Sequence, residues 1–314
     1  MAILLLCIEY PVSKEPIREI SLICIIRVPY YLYLHHNIQF LVKETDIKIS
    51  PPGALPFNFT EIWQNRELLY FFAWRDIKVK YKQTYLGIFW AILQPLLLMG
   101  IFYFIFSRTL HVSVGMSYPV YTFAGLILWG FFSSGITHSS ESLLSSSSII
   151  RKIYFPRILI PLAAVLTALI DFFIAFGLLI VLLIIFRQPV SWQTLYCFPI
   201  AIMFTLLSSF GIGSLLAALN VKYRDFRYLL PFGIQLLFFS SQVVYSIHSL
   251  PQSWLKLLLY CNPLNGALEL FFYPLRGGDI NINGILVSFT AVLLFLLAGL
   301  FYFKKTEVYF ADLI

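Results

Sequence analysis

Few residues in this chain have the makings of chemistry. Asp171 stands in the middle of a long apolar run, where an ionised carboxylate is costly unless a partner meets it. Coupling to protons would need a relay, yet no basic partner occurs in any neighbouring run and the other runs hold no second acid. The residues leave a neutral Asp171, or one that caps an interrupted helix. Gln94 beside Pro95 suits either a hydrogen bond to the carbonyl that the proline frees or a substrate contact. Gln235, Ser240, Ser241, Gln242 and Tyr245 suit either bonding between helices or the wall of a polar passage, and together with Gln94 they favour the passage. His35, His36, His111, His138 and His248 have no matching ligands, and Cys7, Cys24, Cys197 and Cys261 lack metal-ligand spacing. No GxxxxGK[ST] loop, GxSxG elbow or HExxH pair occurs, and Asp171, Glu269 and Asp279 are too scattered for a catalytic set. The residues point to passage and recognition rather than to catalysis.

The elements that would position them are membrane helices. Hydrophobic residues make up 60% of the 314 and charged residues 12%, against about 25% charged in soluble domains. A soluble core has no need of several apolar runs long enough to cross ~30 Å of hydrocarbon. The formal charge of +7 lies in short clusters between those runs. That distribution sets orientation in a bilayer and argues against a nucleic-acid partner. The reading is an all-α integral membrane protein with six transmembrane helices, at about 86–107, 119–136, 158–186, 196–219, 229–247 and 284–303. Residues 1–58 form a cytoplasmic extension that ends in the turn-rich SPPGALPFN, followed by an amphipathic interface helix over 59–85 and the six-span domain over 86–314. In that interface helix Tyr70, Ala73, Trp74, Ile77 and Tyr81 share one face, with Arg75, Lys78 and Lys82 roughly opposite, a pattern suited to the headgroup layer. Six spans put both termini inside, and from residue 59 onward thirteen basic residues then fall inside against four outside.

Two connecting stretches carry more than topology. Ile149-Ile150-Arg151-Lys152-Ile153-Tyr154-Phe155-Pro156 is an apolar and basic turn, either a charge cluster that sets topology or a docking loop for a cytoplasmic partner. Pro156 limits helix extension, leaving Ile153 and Phe155 to enter a partner's groove while Arg151 and Lys152 set its orientation. Between His248 and Asn283, short apolar pieces at Trp254–Tyr260 and Leu264–Tyr273 flank Cys261-Asn262-Pro263, and neither spans a bilayer alone. They suit short re-entrant helices before the last span, on the periplasmic side, or a flat interfacial hairpin.

Four blocks also resemble a known family: RELLYFFAWRDIKVKYKQTYLGIFWAILQPLL, IIRKIYFPRILIPLAAVL, NVKYRDFRYLLPF and YCNPLNGALELF. In this order they look like the membrane permease of bacterial ABC-2 type exporters for lipid-linked O-antigen, capsule or teichoic acid. The resemblance covers about residues 50–314. It implies a multi-pass protein of the bacterial inner membrane, a homodimer bound to two nucleotide-binding ATPase subunits. Such a complex moves undecaprenyl-linked glycan to the periplasmic side, with ATP and Mg on the partner subunit and no cofactor on this chain. It further implies that Trp74, Arg75, Lys78 and Lys82 lie on the interface helix. Ile149, Arg151, Lys152, Ile153 and Phe155 would couple to the ATPase. Spans one and five would line the channel, with Phe89, Trp90 and Tyr245 able to stack on sugars beside Gln94, Gln235 and Gln242. Trp254, Asn262 and Pro263 would belong to a periplasmic gate. The alternatives are a membrane-embedded glycosyl- or acyltransferase acting on a polyprenyl-linked glycan, and an ABC-2 exporter of a small lipid or drug.

Overall fold

In hydrocarbon every backbone N–H and C=O must find its partner within its own segment, so apolar runs of this length are bound to be helical. The computed structural model describes residues 59–82, 89–109, 114–223, 225–250 and 252–310, and among the described residues there is no strand. The expectations placed on residues 1–58 lie outside the described residues.

Two helices precede the long apolar ones: α1 (Phe59–Gln64) and α2 (Arg66–Lys82). Then come α3 (Phe89–Phe102), continued as a π-helix to Thr109, and α4 (Tyr118–Ser145) with the short α5 (Ser147–Ile150). The chain proceeds through α6 (Leu159–Ile185), α7 (Thr194–Lys222), α8 (Phe226–Phe239), α9 (Ser253–Tyr260), α10 (Pro263–Arg276) and α11 (Ile282–Glu307). Among the described residues, five helices are long and apolar enough to cross a membrane: α3 with its continuation, α4, α6, α7 and α11. The chain is therefore an all-α, multi-pass membrane protein.

The run expected as a span at 229–247 differs. Its helix, α8, has 14 residues and stops at Phe239, which gives it a length of about 21 Å. Side-chain amides from α10 and its N-cap take the carbonyls at that helix end. Asn262 donates to the Leu237 carbonyl (3.0 Å) and Asn265 to the Ser240 carbonyl (2.8 Å). With its last acceptors satisfied there, the helix has no need of another turn.

The core forms around α4, which is buried on most sides, with Tyr121, Phe123, Leu128, Phe131 and Phe132 of its apolar first half inside. α6 is more apolar still but leaves Phe173, Ile180, Val181 and Ile184 exposed, the outward stripe of a lipid-facing helix. Small residues set the approach of α7 to α11. A Cβ on Gly299 would lie 2.2 Å from the Gly211 carbonyl oxygen, so the two backbones touch directly. In the serine-rich part of α4 several hydroxyls are satisfied in apolar surroundings by bonding back along their own helix. Thr137 donates to the Ser133 carbonyl (2.8 Å), Ser140 to Thr137 (2.7 Å) and Ser142 to Ser139 (2.6 Å).

A second apolar cluster closes the end of the bundle that carries the basic turns. It gathers Phe72 of α2, Ile150, Phe155, Leu159 of α6, Ala218 and Val221 of α7, Phe303 of α11 and Phe310. At the opposite end, the Ser117 N–H donates to the Gln188 side chain (3.2 Å) and Gln188 donates to the Leu275 carbonyl (2.9 Å). Those two bonds tie the loops before α4 and after α6 to the end of α10.

Candidate functional site

The turn between α5 and α6 separates side chains that lie side by side in sequence. Ile153 is 61% exposed and Tyr154 80%, whereas Phe155 is 7% exposed. The Phe155 ring packs 5.3 Å from that of Phe72, inside the second cluster. Phe155 is thus a buried anchor of the turn, in contrast to the expectation that it enters a partner's groove. Backbone bonds from Lys152 and Ile153 to the Ile149 carbonyl (3.0 and 3.1 Å) close the turn. The Arg157 N–H donates to the Glu307 carboxylate (3.2 Å) and the Arg157 guanidinium to the Glu307 carbonyl, so the end of α11 braces it from behind. Ile150, Arg151, Lys152, Ile153, Tyr154 and Arg157 surround a hollow of about 320 Å³. Tyr154 was passed over in the sequence, where nothing separates it from its aromatic neighbour.

The charged helix before the first span packs against the rest of the bundle. Its buried residue, Phe72, seats in the cluster beside the turn, and Arg75 pairs with Asp76 (2.8 Å) and donates to the Ser146 hydroxyl (3.3 Å). At its far end Lys80 pairs with Asp171 and the Tyr81 hydroxyl donates to the same carboxylate. The acid for which no neighbouring run offered a partner is met from α2. Trp74 stacks on Tyr70 on the exposed side (6.4 Å between centroids), and Lys78 and Lys82 are also exposed.

The residues assigned to a channel fall into two groups. Phe89, Trp90 and Gln94 on α3 and Gln235 on α8 are exposed. Their helices are neighbours through Phe102 and Phe238, whose centroids lie 6.1 Å apart. Gln242 and Tyr245 lie beyond the end of α8, in a strap fastened to α4 and α10. Tyr121 donates to the carbonyls of Gln242 (2.6 Å) and Tyr245 (2.8 Å), and Tyr245 donates to the Phe239 carbonyl (3.1 Å). Gln242 is buried and donates to the Asn265 carbonyl (3.0 Å) and to Glu269 (3.3 Å).

The residues assigned to a gate occupy the α9–α10 corner. Trp254 is exposed on α9, Asn262 caps α10 by accepting from the Leu264 N–H (3.1 Å), and Pro263 is buried as the first residue of α10. Behind them is a group the sequence reading missed. Glu269 is fully buried and bonded to His248 (2.9 Å), Arg276 (3.1 Å), Tyr260 (3.3 Å) and Gln242. A spacing of seven residues places Glu269 and Arg276 on one helix face, and that signal was readable. A cavity of about 510 Å³ opens beside His248 and Arg276. Glu269→Gln removes the charge that compensates Arg276, and the chain should lose about 3–5 kcal/mol. Thermal unfolding in detergent checks this, with an unchanged midpoint as the result against it.

Among the described residues, no group of three His, Cys, Asp or Glu side chains could hold a metal ion. Cys197 and Cys261 are both free thiols.

Residues 67–275 match the family described as ABC-2 type transporter. The chain is 28% identical over 248 residues to an O-antigen export system permease protein, RfbA, of Klebsiella pneumoniae, covering 79% of this chain and 95% of that one. It is 27% identical over 251 residues to the RfbA of Myxococcus xanthus, covering 79% and 96%. A polysialic acid transport protein, KpsM, of Escherichia coli is 29% identical over 245 residues, covering 74% and 91%.

Proposed function

This chain belongs to the ABC-2 type transporter family, and we propose that it is the permease subunit of an ATP-driven exporter of undecaprenyl-linked surface polysaccharide. The substrate class follows from its relatives, which are named for O-antigen export and polysialic acid transport. Two copies sit in the inner membrane, each with a nucleotide-binding subunit that carries the ATP and Mg. Both termini face the cytoplasm, where the basic turns lie. α1 and α2 serve as the interface element, α8 with its strap is the sixth crossing, and α9–α10 dip in from the periplasmic side. α3 has no buried residue in a single copy, which suits a helix covered by a second one.

The observation that carries this reading is the turn after α5. It exposes Ile153 and Tyr154 next to Arg151 and Lys152, on a support braced by α2 and α11. An apolar pair with a basic flank on a rigid support is a docking knob for another protein, with the charges setting its orientation. A glycosyl- or acyltransferase would need a carboxylate or histidine set at a membrane face, and Asp171 and Glu269 are both committed to ion pairs.

The experiment is reconstitution. Vesicles holding this chain and its nucleotide-binding subunit should move undecaprenyl-linked glycan only when ATP is supplied, with hydrolysis stimulated by the glycan. Full export by the 314-residue chain without any nucleotide-binding subunit would overturn the assignment.

A further inference from the structure

The cavity of about 510 Å³ lies where three connecting segments meet: Val114 and Gly115 before α4, Ser246 and His248 in the strap after α8, and Arg276 with Asp279 at the end of α10. Its main donor is held in place. Both hydrogen bonds of the Arg276 guanidinium leave from Nη2, to buried Glu269 (3.1 Å) and to the Asp279 carbonyl (3.5 Å), so Nε and Nη1 keep their donors for a guest. The stem of Arg276 lies against Gly115, where a Cβ would come 3.1 Å from the Arg276 Cγ. Gly277 and Gly278, at φ +70° and +81°, turn the chain directly after α10 and bring the exposed Asp279 onto the same cavity. His248 contributes an acceptor. Its Nε2 meets the Glu269 carboxylate (2.9 Å) and carries the ring proton there, which leaves Nδ1 as a lone pair.

We propose that this cavity is a sugar subsite, which takes one neutral hexose unit of the exported glycan at the end of the bundle opposite the basic turns. The proposal rests on the functional reading above, which supplies the glycan. The wall sets donors on Arg276 beside acceptors on His248 and Asp279. A hydroxyl both donates and accepts, so a ring carrying several satisfies both kinds at once, with Arg276 donating to one oxygen and Asp279 accepting from a neighbouring hydroxyl. An anion would satisfy the donors alone, and Asp279 would repel it. The charge of Arg276 is already met by Glu269, which also favours a neutral guest. The volume lies within the range of about 300–1,000 Å³ usual for small-molecule sites. Because Glu269 and Gly115 fix Arg276 before a guest arrives, little ordering is left to oppose binding. A few hydrogen bonds to a single ring hold it weakly, which suits a chain that must move on.

The test is saturation-transfer NMR on the full chain in complex with its nucleotide-binding subunit, in detergent. The probes are the methyl glycosides of glucose, galactose and mannose, their uronate counterparts carrying a carboxylate at C6, and glycerol as the polyol of a lipid headgroup. At least one neutral glycoside should bind with a millimolar Kd, and more tightly than its uronate or glycerol. Asp279→Ala should weaken that binding about tenfold, the loss expected for a hydrogen bond to a charged group. Asp279 is exposed, so the midpoint of thermal unfolding should stay in place. Arg276→Lys keeps a cation for Glu269 but not the planar pair of donors, and it should weaken binding similarly. Four results would each overturn the subsite: no neutral glycoside bound, a uronate bound more tightly than its parent, glycerol bound as well as a hexose, or an affinity unchanged in both variants. ATP-driven movement of glycan by the unaltered complex is measured separately, so failure of the functional reading is distinguishable from failure of the subsite.

Discussion

Ile153→Asp combined with Tyr154→Ala is expected to abolish export while the chain stays inserted, folded and dimeric. Both side chains are exposed, at 61% and 80%, so neither substitution opens a cavity or buries a charge. Surface changes of that kind alter stability by about 0.5 kcal/mol or less. An interface treats the same positions differently: apolar and aromatic anchors at its centre are each worth about 2 kcal/mol or more. Losing both should weaken the association by about a thousandfold. Replacing an anchor with a carboxylate beside Arg151 and Lys152 also neutralises part of the charge that orients docking. The measurement is co-purification with the nucleotide-binding subunit, together with ATP-driven glycan movement in vesicles. Association at the unaltered level would remove this turn from the interface.

One residue further on the outcome should reverse: Phe155→Asp is expected to yield no stable protein. Phe155 lies in the cluster where α2, α6, α7 and α11 converge, against Phe72. Removing a buried phenylalanine costs about 3–5 kcal/mol, and a carboxylate in its place must be desolvated among the apolar groups of the cluster. The sum is comparable to the whole stability of a typical domain, about 5–15 kcal/mol. The measurement is the yield of monodisperse protein in detergent, with Phe155→Leu as the mild comparator that keeps most of the apolar volume. A well-folded Phe155→Asp chain that merely fails to bind the ATPase subunit would return Phe155 to the docking surface.

These two neighbours show where a linear reading stops. Around Ile153, Tyr154 and Phe155 the pattern is a run of apolar residues beside a proline, and no helical or strand period assigns a direction to any of them. Direction came from α2, whose Phe72 lies more than 80 residues away in the chain and covers Phe155. Asp171 follows the same logic: a search for a cation in neighbouring spans fails because the cation comes from a helix that is not a span. Gln242 looked like part of a passage because it follows an apolar helix, but amides from the next helix pair turn the chain there and bury it.

What the sequence determined by itself is what the solvent dictates. Hydrocarbon thickness and the requirement for internal backbone bonding make the apolar runs into helices. The expected spans at 158–186, 196–219 and 284–303 lie within a few residues of α6, α7 and α11. Composition likewise places the chain in a bilayer, and the ordered blocks of residues identify the family. The tertiary structure alone decided the pairings: Asp171 with Lys80 and Tyr81, Glu269 with His248 and Arg276, Phe155 with Phe72, and the end of α8 against Asn262 and Asn265. The physical reason is that bilayer insertion acts on each segment separately and is local in sequence. A buried charge, an aromatic ring or a helix end is satisfied by whatever group the packing of other helices brings to it, and packing is not local.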